Sequence, residues 1–128
     1  MSNSNRVDDG SVSLTVPARP EYLRLVRLAA ADAGARAGLS IEDIDDLRIA
    51  VDELTYALIG EDALDSALTL RYVGTPGLVE IEGACGARDE PIDVSQLSKS
   101  IIGAVADEHE IFERDGMRRF RLVKRGRT

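Results

Sequence analysis

The stretch AVDELTYALIGED, residues 50–62, holds the side chain best placed to do chemistry, Glu53. In helical register Asp46, Ala50, Glu53 and Ala57 are spaced 4, 3 and 4, so they share a face beside the apolar stripe Ile44, Leu47, Val51, Leu54 and Leu58. A carboxylate on such a face can act as a general base, or help hold magnesium against a phosphate-bearing ligand, because magnesium takes oxygen donors. That second role calls for a carboxylate or amide one turn further on. Position 57 supplies a methyl group instead. Glu53 is therefore either the remnant of a phosphate-handling site or a solvated helix carboxylate.

Few other residues offer chemistry. Cys85 is the only cysteine, so it forms no intrachain bridge; it is a packed small residue or a redox sensor, with Arg88 the one nearby cation to lower its pKa. His109 sits among Asp107 and Glu110, but these do not share a face at ligand spacing, and it reads as a solvated residue ahead of the last hairpin. Arg24 and Arg27, three apart, project together from one helix on an otherwise acidic body, which suits recognition of carboxylates on a partner.

The elements that must position these residues follow from pattern. Residues 1–11 form a polar, flexible N-terminal arm, and residues 12–128 one domain. SVSLTVPA alternates Val12, Leu14 and Val16 and stops at Pro17, giving a strand. Pro20 opens a helix running to about Ala37, with Gly38 ending it. Ser40 with Asp43 resembles a capping box and starts the helix that carries Glu53, which ends near Gly60; carboxylates crowd its first turns, where the helix dipole favours them. SALTLRYVG and LVEIEGA alternate around GTPG as a hairpin, and residues 83–94 read as a loop. Leu97, Ile101 and Val105, with Ile102 adjacent, predict a third helix, and EIFERDGMRRFRLVKR a second hairpin about Asp115–Gly116, with Phe120 and Leu122 on one face. The order β-α-α-β-β-α-β-β predicts an α+β two-layer sandwich, a mostly antiparallel five-stranded sheet with about three helices on one face.

Totals narrow the function classes. With 128 residues and 44% apolar content the chain can bury a core without a metal or disulfide. No basic start precedes an apolar run and no long apolar segment is present, so we expect a cytoplasmic protein that neither enters nor spans a membrane. Net charge is −7, yet residues 117–128 carry six basic residues and no acid, which leaves −13 on the first 116. An acidic body with three tyrosines, two phenylalanines and no tryptophan argues against direct nucleic-acid binding and favours a basic protein partner.

VPARPEYLRLVRLAA followed by IEDIDDLRIAVDE resembles the strand, first helix and ATP-site helix of the anti-sigma factors of the histidine-kinase-like ATPase (GHKL) fold, the partner-switching serine kinases of bacterial stress and sporulation control. The resemblance covers roughly residues 12–125. It implies a sigma factor and an anti-anti-sigma antagonist as partners, a possible homodimer, and partner contacts through Tyr22, Arg24 and Arg27. It also implies an ATP–magnesium site whose Glu-x-x-x-Asn motif falls on Glu53 as general base and on Ala57 where the magnesium-binding Asn should be. The adenine-reading aspartate of Asp-x-Gly-x-Gly falls on about Cys85, with Gly86 retained and Asp89 too far along. The glycine-rich lid is replaced by VSQLSKSIIG, where Lys99 and Ser100 remain as phosphate contacts. All three nucleotide motifs are damaged. We therefore expect an anti-sigma factor with a degenerate site and no ATP or magnesium, with an active serine kinase, or a redox or ligand sensor on the same scaffold, as the alternatives.

Overall fold

A computed structural model describes residues 10–60, 65–87 and 90–127. Its elements are β1 (Ser11–Pro17), a short 3-10 turn (Pro20–Tyr22), α1 (Leu23–Arg36), α2 (Ile41–Ile59), β2 (Ala67–Thr75), β3 (Leu78–Gly86), α3 (Gln96–Val105), β4 (Glu108–Arg114) and β5 (Met117–Arg125). The sheet order is β1-β2-β3-β5-β4 and every neighbouring pair is antiparallel. Three helices and five strands form the expected α+β sandwich. Residues 1–9 of the expected arm lie outside the described residues; Ser11, its last residue, already pairs with Val73.

Period-two patterning sets which sheet face is covered. Val16, Leu68, Leu70, Tyr72, Val79, Ile81, Phe120 and Leu122 are buried under the helices, while their neighbours in sequence, such as Thr15, Thr69 and Arg71, face outward. The Tyr72 hydroxyl donates to the Val26 carbonyl at 3.0 Å, pinning α1 onto β2, and burial pushes its pKa up. At Gly34 the helices α1 and α2 cross closely: a Cβ there would stand 2.9 Å from Ile44 Cγ1, so only glycine lets them meet. The last hairpin turns through Asp115 and Gly116, both at positive φ (55° and 72°), the two-residue geometry that matches strand twist.

Three boundaries differ from the sequence reading. First, Pro20 opens a single 3-10 turn, and the α-helix proper begins at Leu23. Second, residues 83–86 are not loop: Ile81, Gly83 and Cys85 continue the buried alternation, and β5 is long enough to pair through Gly86↔Met117. Third, the buried residue of α3 is Ile102, and Leu97 is 71% exposed. The cause is packing, because this short helix leans on α2 and β4 rather than lying flat across the sheet.

The capping box is half formed. Ser40 Oγ accepts from the Asp43 N–H at 3.1 Å, but the Asp43 side chain turns inward, fully buried, and accepts the Arg127 N–H at 3.0 Å. Arg127 Nε lies 3.2 Å and Lys124 Nζ 3.8 Å from the same carboxylate. Asp46 completes the cluster, with Arg127 Nη2 at 2.6 Å and Lys124 Nζ at 3.4 Å. The Arg127 backbone N–H, then Ser40 and the two cations, hold the Asp43 carboxyl below its ordinary pKa against the opposing effect of burial. The acidic first turn of α2 is thus a weld to the end of β5.

Candidate functional site: the cleft between α2 and α3

A cleft of about 510 Å³ opens where the last turns of α2 face the start of α3. Glu53, Tyr56, Ala57 and Gly60 form one wall; Glu90, Pro91, Asp93, Val94, Ser95 and Ser98 form the other, and Arg118 of β5 lines it from the sheet. Glu53 and Ala57 share the wall as the helical spacing requires. Glu53 Oε1 accepts a 2.6 Å hydrogen bond from Ser98 Oγ, so the carboxylate is tied across the cleft. Ser98 is held in turn, since its N–H donates to the capping Ser95 Oγ at 3.0 Å.

Arg118 is only 3% exposed. Its Nη1 donates to the Leu58 carbonyl at 3.0 Å and its Nη2 to the Glu90 carbonyl at 2.5 Å, while Nε lies 3.7 Å from Glu113 Oε1. Leu58 is in the last turn of α2, where unpaired carbonyls and the helix dipole both attract a cation. Cys85, directly across the ladder from Arg118, is fully buried in β3 with Sγ 3.7 Å from the same Leu58 carbonyl, and it does not line the cleft.

The other residues singled out by sequence scatter. Lys99 lies in a separate hollow with Ile92, Val94, Ile102, His109, Glu110 and Ile111, and Ser100 is exposed away from the cleft, so neither stands where a lid phosphate contact was expected. His109 is exposed on β4 itself rather than ahead of the hairpin, and no metal-holding group of His, Cys, Asp and Glu occurs among the described residues. Asp89 and Arg88 lie outside the described residues. Arg24 is exposed on α1 with Leu25 (44%) and Leu28 (54%), and Tyr22 stands exposed at its start. Arg27 does not project freely beside Arg24: its Nη1 bonds Asp52 of α2 at 2.9 Å.

The sequence reading missed Ser98 and Arg118. A signal for Arg118 was present, for it sits two residues before Phe120 and four before Leu122, on the inward parity of β5. Ser98 carried none, because its meeting with Glu53 depends on how α3 leans.

No family model matches the sequence. Among curated proteins it is 42% identical over 67 residues to the serine-protein kinase RsbW of Listeria monocytogenes serotype 4a, covering 48% of this chain and 41% of the relative. It is 36% identical over 106 residues to the anti-sigma-F factor RsbW of Mycobacterium tuberculosis, covering 80% of this chain and 61% of the relative. The chain thus spans about half the length of the curated relatives it matches. A crystal structure of the RsbU and RsbW domains of Rv1364c from Mycobacterium tuberculosis matches 91% of this chain and 33% of that longer one, with a TM-score of 0.64 at 17% identity, a likeness of fold. By sequence the chain is thus similar to the RsbW proteins, and it shares the fold of the RsbU–RsbW structure.

Proposed function

We propose that this chain is an anti-sigma factor that sequesters an alternative sigma factor, is countered by an anti-anti-sigma antagonist, and works without bound nucleotide. The observation that carries the nucleotide-free part is the lining of the cleft: a methyl group at Ala57, and a buried guanidinium opposite Cys85 where an adenine-reading carboxylate would stand. Magnesium needs oxygen donors beyond Glu53, and Glu53 is already engaged by Ser98. Without the ion a triphosphate in this cleft would face Glu53, Glu90 and Asp93 with its charge poorly neutralised. The sigma-factor and antagonist part is supported by the names of the relatives, and the acidic body suits a basic partner surface. Its contact surface is the outer face of α1, where Tyr22, Arg24, Leu25 and Leu28 are exposed together; Arg27, braced by Asp52, borders it.

Calorimetry with millimolar ATP and magnesium, alongside co-elution with each sigma factor of the host, tests this reading. The expected result is no heat of ATP binding and co-elution with one sigma factor. Failure to co-elute with any of them defeats the anti-sigma assignment. ATP binding followed by phosphorylation of an antagonist, abolished by Glu53→Ala, would establish the second reading, a serine protein kinase; the retained Glu53 and the kinase relatives favour that one. Thiol sensing has less support, because Cys85 is buried beneath α2 and away from the cleft.

A further inference from the structure

Arg118 enters the nucleotide-free reading only as an obstacle to a ligand, and its own bonds give it a further role. A guanidinium withdrawn from water normally takes a carboxylate or phosphate through its paired N–H groups. Among the described residues this one bonds two neutral carbonyls, and its Nε, buried without a hydrogen-bond partner, faces a single carboxylate, the partly exposed Glu113 at 3.7 Å. The two carbonyls stand on opposite sides of the cleft: Leu58 closes α2, and Glu90 begins the 90–95 segment that delivers Ser95, the cap of α3. Ser98, one turn into α3, makes the second tie across the same gap through Glu53.

We propose that Arg118 is the cleft's internal occupant, a guanidinium that does mechanically what a bound ligand would do. It draws residues 90–95 against the end of α2, which fixes the N-terminus of α3 and keeps the Ser98–Glu53 bond formed. The cleft then has one standing arrangement that needs no small molecule. This inference rests on the nucleotide-free reading of the site, and it assigns the cleft a chemical preference for a guanidinium group. Arg118 is a positioning residue here, since it acts through the segment it holds.

Hydrogen exchange on the full chain tests it. Arg118→Ala should speed amide exchange over residues 92–99 by about tenfold or more, with the core amides of β2 and β3 unchanged. Added methylguanidinium should restore much of that protection, whereas sodium chloride at equal ionic strength should not. If Arg118→Ala does not fold, Arg118→Lys serves, since its ammonium reaches one carbonyl and exchange should rise to an intermediate level. Unchanged exchange over residues 92–99 in the variants overturns the clamp, and so does an equal rise across the whole sheet with no response to methylguanidinium. Magnesium–ATP protecting the same amides in the unmodified protein would instead defeat the nucleotide-free reading beneath it.

Discussion

Two buried cations stand at opposite ends of the covered face of β5, and they are satisfied in different ways. Lys124 meets carboxylates, Asp43 at 3.8 Å and Asp46 at 3.4 Å, and donates to the Val105 carbonyl at 3.0 Å. Arg118 meets carbonyls. The difference separates structure from function: around Lys124 charge is matched by charge in a closed weld, while around Arg118 a full charge is set against dipoles beside an open cleft. Removing the first takes away one of the two cations that face a buried anion. Removing the second strands two neutral acceptors, one of them at the cleft edge, where water can replace the guanidinium, and frees Glu113, which is already half in water.

The largest expected effect follows from that asymmetry. Lys124→Met should lower stability by about 3 kcal/mol in urea unfolding, because breaking a buried pair leaves Asp43 poorly compensated. Adding Asp43→Asn should recover a good part of the loss; a double variant no better than the single one would mean that Lys124 acts by packing alone. Arg118→Met should cost less, about 2 kcal/mol, within the scale of a lost hydrogen bond from a charged donor. Equal losses for the two methionine variants would erase the contrast.

Acid sharpens it further. The folded state holds the Asp43 carboxyl below its ordinary value of 3.8, so the stability it contributes is present in full above that value and fades as pH falls through the lowered one. Urea midpoints measured between pH 5 and pH 2 should therefore fall less steeply in Asp43→Asn than in the unmodified chain. Glu108, held down by the Arg125 hydrogen bond, titrates in the same direction from an exposed position, and Glu108→Gln should flatten the curve much less.

Three smaller effects concern α1. Tyr72→Phe should cost about 1 kcal/mol for the bond to Val26. Arg27→Ala should change stability by about 0.5 kcal/mol, since its pair with Asp52 is half exposed. Arg24→Glu should leave stability unchanged yet weaken binding of the co-eluting sigma factor by about tenfold. Binding that is indifferent to Arg24 would move the partner surface off this helix.

Much of the architecture is legible in the sequence alone. Period two gave all five strands, the 3.6-residue period gave α2 with its stripe from Ile44 to Leu58, and Asp115–Gly116 gave its turn. Those signals are local, so they survive without knowledge of neighbours. The readings that shifted were set by neighbours. Residues 83–86 became strand because β5 was there to pair with them, and Leu97 was left exposed because α3 leans on α2 and β4. Within the site, Glu53 and Ala57 were located by spacing alone, while Lys99 and Ser100 were misplaced because the orientation of a short helix comes from its packing.

What the sequence determined by itself is the helix face that joins Glu53 to Ala57, the strand parity that turns Arg118 and Lys124 inward with Phe120 and Leu122, and the acidic start of α2. Tertiary structure alone decided how the basic C-terminal run is used. Arg127 and Lys124 close on Asp43 and Asp46, Arg121 and Arg125 meet Glu80 and Glu108 on the open face, and Arg118 enters the cleft. Charge and parity are properties of a residue and its immediate neighbours in sequence. The partner of a buried charge is chosen by whichever groups, here up to 84 residues away, the fold brings within a hydrogen bond's length.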